Sequence, residues 1–149
     1  MLITYINTIL LTPLKSYVDL KLSYSKKEKL KSREEIKSLF KNGSVITKYP
    51  LRLIYLKILK KDHSSCELKY GVSVSKKRFK SAVSRNYIKR LLREACRTHK
   101  YDYLEHVTEG DYCFMMIYIG DFKPNIKLVE EKMSILFKTF EKQTIKKLD

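Results

Sequence analysis

Residues 70–97 read YGVSVSKKRFKSAVSRNYIKRLLREACR and pass from a strand pattern through a basic loop into a helix pattern. Apolar residues alternate with polar or small ones over 67–75, which predicts a strand. Over 84–99, apolar residues recur at the i, i+3, i+4, i+7 spacing of an amphipathic helix. That stripe consists of Ile88, Leu91, Leu92 and Ala95. This segment therefore predicts a strand that leads directly into a helix with one apolar side.

The sequence before this segment predicts one helix and two strands. Ser32 and Glu35 have the capping-box spacing, and Gly43 follows the last apolar position, so we expect a helix over 33–42. Residues 51–59 are rich in β-forming residues, and a shorter strand is expected over 45–48. The linker between 51–59 and 67–75 is short and polar, which favours an antiparallel pair of strands.

The sequence after this segment predicts one more strand and one more helix. Residues 111–120 are almost continuously apolar, as in a central strand that is covered on both faces. After Pro124, apolar residues recur at helical spacing from Val129 to Phe140. The element order is α-β-β-β-α-β-α, which predicts an α+β fold, a two-layer α/β sandwich.

The length and the two ends define the domain organisation. The 149 residues, about 17.7 kDa, suit one domain, which we place at 24–142. Residues 1–23 are read as an N-terminal extension, either flexible or packed on the domain, and 143–149 as a basic C-terminal tail. The uncharged run over 1–14 is too short for a membrane span and lacks the features of a secretory signal.

The charge balance indicates a polyanionic partner. Thirty-two Lys and Arg residues face 16 Asp and Glu residues, which gives a net charge of +16 and a pI near 9.7. Nucleic acid is the first expectation and an anionic membrane the second. The excess is concentrated between Lys69 and Lys100, where Glu94 is the only acidic residue.

The predicted helix over 84–99 places its cations opposite its apolar stripe. On a helical wheel, the basic face contains Arg85, Asn86, Lys89, Arg90, Arg93 and Arg97. The loop before the helix adds Lys76, Lys77, Arg78 and Lys80 as candidate phosphate ligands. Ser73 and Ser75 are small hydroxyl residues at the strand end, where a phosphate can approach closely. Because no zinc finger or helix-turn-helix spacing is present, and Tyr and Phe number 11 and 6, RNA is favoured over DNA.

The sequence contains few residue patterns that are typical of a catalytic site or a metal site in a protein. There is no Gly-rich phosphate loop, and the group Asp102, Glu105, His106 and Glu109 is read as solvated surface. The three cysteines, Cys66, Cys96 and Cys113, have no metal-ligand spacing. We therefore expect no catalytic residue and no metal site in the protein, and reduced thiols in a cytoplasmic location.

Residues 70–97 resemble the signature of the bacterial ribonuclease P protein component. The matching positions are Gly71, Val74, Ser75, Lys76, Lys77, Lys80, Ala82, Val83, Arg85, Asn86, Lys89, Arg90, Arg93 and Glu94. The first helix, ending in Leu39, Phe40 and Gly43, also resembles the opening helix of that family. The resemblance extends more weakly over 24–142.

This resemblance implies both a fold and a function. It implies a small α/β sandwich with a left-handed βαβ crossover, against the usual handedness. It implies a subunit of a tRNA-processing hydrolase in which a catalytic RNA removes the 5′ leader of precursor tRNA. Mg²⁺ would be bound mainly by that RNA, and none would be held by the protein alone. The implied partners are the catalytic RNA and precursor tRNA, with no membrane and no obligate protein partner.

The resemblance also implies roles for individual residues. Arg85, Asn86, Lys89, Arg90 and Arg93 would face the catalytic RNA. The leader would contact Phe40 and Tyr55, although the residues alone leave core packing open for each of these two rings. Ser73 and Ser75, at the strand end, are assigned to the same leader site. Two positions depart from the family pattern: Tyr87 stands where the family usually has Arg, and Ile36 where it often has an aromatic residue.

Two other functions remain open from the residues alone. A non-enzymatic RNA-binding protein, such as a ribosomal protein or RNA chaperone, would explain the charge but not the motif with its fixed spacing. A membrane-surface protein would use residues 2–11 together with the basic face.

Overall fold

A computed structural model describes residues 26–58, 68–104 and 111–146. A short 3-10 turn at Lys26–Glu28 precedes three helices and four strands. In chain order these are α1 (Arg33–Asn42), β1 (Ser44–Lys48), β2 (Leu51–Ile58), β3 (Leu68–Val74), α2 (Ala82–Leu104), β4 (Asp111–Tyr118) and α3 (Ile126–Lys146). The predicted α+β class and the order α-β-β-β-α-β-α are confirmed.

The four strands form one mixed sheet in the order β1-β2-β4-β3. β1 pairs antiparallel with β2 and β2 antiparallel with β4, whereas β3 and β4 are parallel. The predicted antiparallel pair of β2 and β3 is wrong, because β4 lies between them. β4 is the most apolar strand and is buried on both faces, so a central position removes the largest apolar area from water. The handedness of the β3–α2–β4 crossover stays a prediction.

One face of the sheet is covered by α2 and α3. Leu53 of β2, Phe114 of β4 and Tyr70 of β3 point to this face and pack against residues such as Leu92 and Phe140. The predicted apolar stripe of α2 is confirmed, since Ile88, Leu92 and Ala95 are fully buried. The larger core lies on this face of the sheet. Because α2 packs into that core with its apolar side, the opposite side of the helix faces solvent.

Of the residues that the structure describes, only α1 and the segment before it cover the other face, and they cover it in part. Leu39 of α1 packs with Leu30, Ile54, Cys113 and Met115 in a smaller core. α1 begins where the Ser32 hydroxyl accepts a hydrogen bond from the Glu35 amide (3.4 Å), as the capping spacing predicts.

The end of α1 is set by a close approach at Gly43. The Gly43 amide donates to the Leu39 carbonyl (2.9 Å), and a Cβ atom at Gly43 would lie 2.7 Å from Cγ2 of Ile54. The backbone at Gly43 is extended, so glycine is required here by space and not by a left-handed conformation.

The C-terminal helix continues past the predicted domain boundary at residue 142. α3 runs to Lys146, and the Gln143 side chain accepts a hydrogen bond from the Tyr55 hydroxyl (2.8 Å). The first part of the predicted tail is therefore helical and joined to the sheet. The predicted extension at 1–23 and Cys66 lie outside the described residues, whereas Cys96 and Cys113 are buried.

Among the helices of the described residues, none combines the length and apolar character that crossing a membrane requires.

Candidate nucleic-acid interface

The solvent side of α2 presents several cations that have no acidic partner among the described residues. Arg90, Arg93 and Asn86 are exposed, and Lys89 is half-buried. Within residues 26–58, 68–99 and 111–144, no carboxylate lies within 4.0 Å of Lys89, Arg90 or Arg93. Because like charges on one helix side repel, this surface gains from an anionic partner.

Arg97, at the far end of the same side, is already paired. Its guanidinium donates two hydrogen bonds to the Glu94 carboxylate, at 2.6 and 3.0 Å. These hydrogen bonds lower the pKa of Glu94, which keeps the carboxylate ionised. The positive charge of Arg97 is thus partly neutralised, and its predicted contact with RNA stays a prediction.

Arg85 has a structural role that sequence reasoning missed. Its Nη1 atom donates to the carbonyl oxygens of Phe79 and Lys80, both at 2.7 Å. Phe79 packs its ring against the larger core. Arg85 therefore holds the basic loop against the first turn of α2. Contact between RNA and the other guanidinium nitrogens of Arg85 stays a prediction.

The loop between β3 and α2 is further ordered by its serines. The Ser75 hydroxyl accepts from the Lys77 amide (3.2 Å), and the Ser75 carbonyl accepts from the Phe79 amide (3.1 Å). The Ser81 hydroxyl accepts from the Ser84 amide (3.4 Å) at the start of α2. The sequence therefore specifies a turn at the strand end and a cap at the helix start.

This loop adds cations next to the start of α2. Lys76, Lys77 and Lys80 are exposed, and none has a carboxylate within 4.0 Å in the described part of the chain. Arg78 differs, because it forms an ion pair with Asp121 in the loop after β4. The loop and the solvent side of α2 thus bring together ten predicted RNA ligands, of which Arg78, Arg85 and Arg97 also have protein partners.

Within the described residues, the sheet face that carries α1 is open at the end nearest the β3–α2 loop. Thr47, Arg52, Ile117 and Ser73 are register partners in one row across the four strands, on the face that α1 covers elsewhere. We call this row the open sheet surface. Arg52 donates from Nε to the Thr47 hydroxyl (3.3 Å), which holds its guanidinium along the row.

Two of the four predicted leader ligands, Phe40 and Ser73, lie on this side of the sheet. Phe40, in the last turn of α1, is 53% exposed. Ser73 belongs to the open sheet surface, and Ser75 lies just beyond the end of β3, in the turn that leads to the loop. Arg52 also lies here. Sequence reasoning missed Arg52, although a single Arg inside an apolar strand is a usable signal for an open face.

The predicted grouping of Tyr55 with Phe40 is corrected by the structure. Tyr55 is 6% exposed and points to the face covered by α2 and α3. Its ring packs edge-on against Phe140 (4.8 Å between centroids), and its hydroxyl donates to Gln143. Strand alternation is the cause, because Tyr55 is one residue from Ile54, which faces α1.

A second basic surface lies at the start of α1 and was also missed. Four lysines of the segment before α1 and one of β3 line a groove, with Ser32 and Glu35 at its side. These lysines are Lys26, Lys27, Lys29, Lys31 and Lys69. Lys69 is paired with Glu35 at 2.8 Å. The run KKEKLK over 26–31 was a visible signal for it.

Comparison with known proteins decides the family. The model of a family described as Ribonuclease P matches residues 24–141. The chain belongs to the ribonuclease P protein family. As a ribonuclease P protein component, it takes part in tRNA 5′ processing, which is a hydrolase reaction. It also has an RNA partner.

Individual ribonuclease P proteins agree with this assignment. The ribonuclease P protein component of Porphyromonas gingivalis is 40% identical over 113 residues, which cover 73% of this chain and 80% of that protein. The one from Chlorobium phaeobacteroides is 33% identical over 124 residues, or 76% and 85% of the two chains. The ribonuclease P protein of Staphylococcus aureus, at 20% identity, has a similar fold: the TM-score is 0.61 over 77% of this chain and 96% of that one.

Metal ligands are not gathered on the described part of this ribonuclease P protein. Among residues 26–58, 68–99 and 111–144, no three His, Cys, Asp or Glu side chains are placed to hold one ion. Asp102, Glu105, His106 and Glu109, which the sequence suggested as surface, lie outside the described side chains.

Proposed function

We propose that this protein binds the catalytic RNA of ribonuclease P through α2 and the β3–α2 loop, and holds the 5′ leader of precursor tRNA on the open sheet surface. The RNA then carries out the Mg²⁺-dependent hydrolysis that frees the mature tRNA 5′ end. The protein supplies no catalytic residue, and it works in the cytoplasm.

The observation that carries this proposal is the basic side of α2. Ile88, Leu92 and Ala95 of its apolar side are fully buried, so the helix cannot turn its cations away from solvent. Lys89, Arg90 and Arg93 have no acidic partner within the described residues. Each phosphate that such a side chain contacts releases condensed counterions, which makes binding favourable and salt-dependent.

The leader site is supported by exposure and position. A single-stranded RNA binds where bases can stack on aromatic rings and phosphates can approach donors. Phe40 offers an exposed ring, Arg52 offers donors, and Ser73 leaves room because its side chain is small. These residues border one open face of the sheet, whereas the cations that contact the phosphate backbone of the catalytic RNA lie on α2. Leader and catalytic RNA thus contact different surfaces.

The assignment of Mg²⁺ to the RNA agrees with the chemistry of the protein surface. Mg²⁺ prefers oxygen ligands, above all carboxylates and phosphates. The proposed interface is formed by cations, which repel a metal ion, and RNA phosphates are the ligands that remain. The contribution of the protein is to reduce repulsion between the leader and the catalytic RNA.

The proposal is tested by a pair of charge-matched double variants. Arg90→Gln with Arg93→Gln removes two cations from α2, and Lys138→Gln with Lys142→Gln removes two exposed cations from α3. Each is mixed with a bacterial ribonuclease P RNA and precursor tRNA at low Mg²⁺. We expect the α2 variant to lose stimulation of cleavage and the α3 variant to keep it.

Equal losses in the two variants would mean that only overall charge matters. RNA binding by the native protein without any stimulation of cleavage would mean that it is a general RNA-binding protein. Either result overturns the proposed function.

A further inference from the structure

An exposed aromatic surface lies beside the basic side of α2, and the proposed function does not use it. Tyr87 of α2 is 37% exposed, and Phe122 in the β4–α3 loop is 45% exposed. Val83, one helical turn before Tyr87, is 79% exposed. We call Tyr87 and Phe122 the aromatic platform. Tyr87 contacts Lys123 and Pro124, the two residues that follow Phe122 in the chain, so the two rings belong to neighbouring segments. Exposed apolar side chains on adjoining segments mark contact surfaces.

Tyr87 is held in place by the β4–α3 loop. Its hydroxyl donates to the Pro124 carbonyl (3.3 Å), and the Lys123 ammonium lies 4.4 Å from its ring centroid. A cation over an aromatic face is attracted by the ring. The ring is therefore oriented before any partner arrives, which reduces the entropy lost on binding.

Phe122 is fixed through the buried Tyr118. The Tyr118 hydroxyl donates to the Phe122 carbonyl (2.6 Å), and the two rings meet edge-on with centroids 6.3 Å apart. The Ile119 amide donates to the Pro50 carbonyl (2.8 Å), which ties the same loop to the β1–β2 turn. Phe122 is thus part of a hydrogen-bonded loop, and Tyr87 of α2 is bonded to the same loop through Pro124.

The charges around the platform favour an anionic partner over an apolar one. Lys123 follows Phe122 in the chain, Lys80 precedes Val83 by three residues, and both lysines are exposed. Arg90 lies one helical turn after Tyr87. The acid of the loop, Asp121, is paired with Arg78. An apolar protein surface would have to bury these cations without partners, which is costly. A nucleotide offers a π-face for the rings and a phosphate for the cations.

We infer that the aromatic platform stacks an unpaired base of the catalytic RNA, next to the phosphates bound by the basic side of α2. This inference rests on the proposed function and adds a base contact to it. It also has a distinct physical consequence. A stacked base adds affinity without releasing counterions, so this part of the binding should not depend on salt.

The test uses substitutions that separate aromatic from merely apolar contact. Tyr87→Phe and Phe122→Tyr keep a ring, whereas Tyr87→Leu and Phe122→Leu keep apolar bulk without one. Affinity for a bacterial ribonuclease P RNA is measured at several salt concentrations, together with chemical modification of its unpaired bases. Thermal unfolding establishes that each variant is folded.

We expect the leucine variants to weaken binding by roughly fivefold to a hundredfold, the range for one stacked base, with the salt slope unchanged. The ring-keeping variants should bind within about twofold of the native protein, since the stacking surface persists. One unpaired base should be protected from modification by the native protein and by Tyr87→Phe, but not by Tyr87→Leu.

Native affinity in the leucine variants would overturn the inference and would indicate a docking surface for a protein. A lower salt slope in these variants would also overturn it, because the contact would then be with phosphate. If the native protein itself fails to bind the RNA, the proposed function fails first, so the two failures are distinguishable.

Discussion

The Nη1 atom of Arg85 lies 2.7 Å from the carbonyl oxygen of Phe79, six residues earlier in the chain. The same atom lies 2.7 Å from the carbonyl of Lys80. One cation of the basic side of α2 is thus bound to the protein itself, and it orders the loop that presents Lys76, Lys77 and Lys80. Residues on the same helix side therefore have different roles, which substitutions can separate.

Replacing Arg85 by lysine should destabilise the protein while leaving its charge unchanged. A lysine ammonium cannot reproduce the planar geometry with which the guanidinium meets two carbonyls. We expect Arg85→Lys to lower the free energy of unfolding by about 1 kcal/mol. Denaturant unfolding measures this change. The control is Arg93→Lys on the same side, which should stay within about 0.5 kcal/mol. An equal loss in both variants would contradict a special role for Arg85.

Replacing Arg90 by alanine should weaken binding to the catalytic RNA without affecting stability. Arg90 is exposed and has no acidic partner in the described residues. Losing one phosphate contact should reduce the slope of log affinity against log salt by roughly 0.7 to 0.9. Titrations at four or more salt concentrations measure the slope. An unchanged slope and affinity would remove Arg90 from the interface.

Replacing Phe40 by alanine should weaken binding of precursor tRNA more than binding of mature tRNA. Only the precursor has a leader to stack on the exposed ring, and one stacked base contributes roughly 1–3 kcal/mol. The measurement is the affinity of the reconstituted enzyme for each tRNA. Tyr55→Phe is the control, because Tyr55 is buried on the other face and should not change the ratio of affinities. Equal losses for both tRNAs would show that Phe40 has no contact with the leader.

Tyr118 should make stability depend on pH at the alkaline end. Burial raises the pKa of Tyr118 from 10.0 to about 12, with smaller contributions from Tyr49 and Asp121. The phenol therefore ionises more easily in the unfolded chain. Its contribution to stability is complete below pH 10 and is lost as the pH rises toward 12.

The measurement for Tyr118 is a comparison with Tyr118→Phe. Below pH 10 the variant should be less stable by about 1 kcal/mol, because it lacks the hydrogen bond to the Phe122 carbonyl. Between pH 10 and 12 this difference should shrink. Burial also raises the pKa of Tyr112, but this effect is common to both proteins and cancels. A difference that stays constant over this range would contradict the account.

Local patterns were enough to predict the elements of this fold. Ser32, Glu35 and Gly43 mark the ends of α1 because capping depends on neighbouring residues alone. The apolar run of β4 likewise predicts a central strand. The pairing of β2 with β4 was missed because it joins distant segments, and the short linker after β2 suggested a hairpin with β3.

The candidate site was predictable where it depends on one helix and less so where it depends on several elements. The wheel of α2 correctly separates Ile88 and Leu92 from Arg90 and Arg93. Nothing local shows that Arg85 reaches back to Phe79, or that Tyr87 meets Lys123. The face occupied by Tyr55 depends on strand register, where a difference of one residue changes the side.

We propose that this protein assists a catalytic RNA and does not itself cut precursor tRNA. The most direct measurement is cleavage of precursor tRNA at low Mg²⁺ by a bacterial ribonuclease P RNA alone, by the protein alone, and by both together. We predict that only the mixture produces the mature 5′ end. Cleavage by the protein alone, or an RNA whose activity the protein leaves unchanged, would contradict the account.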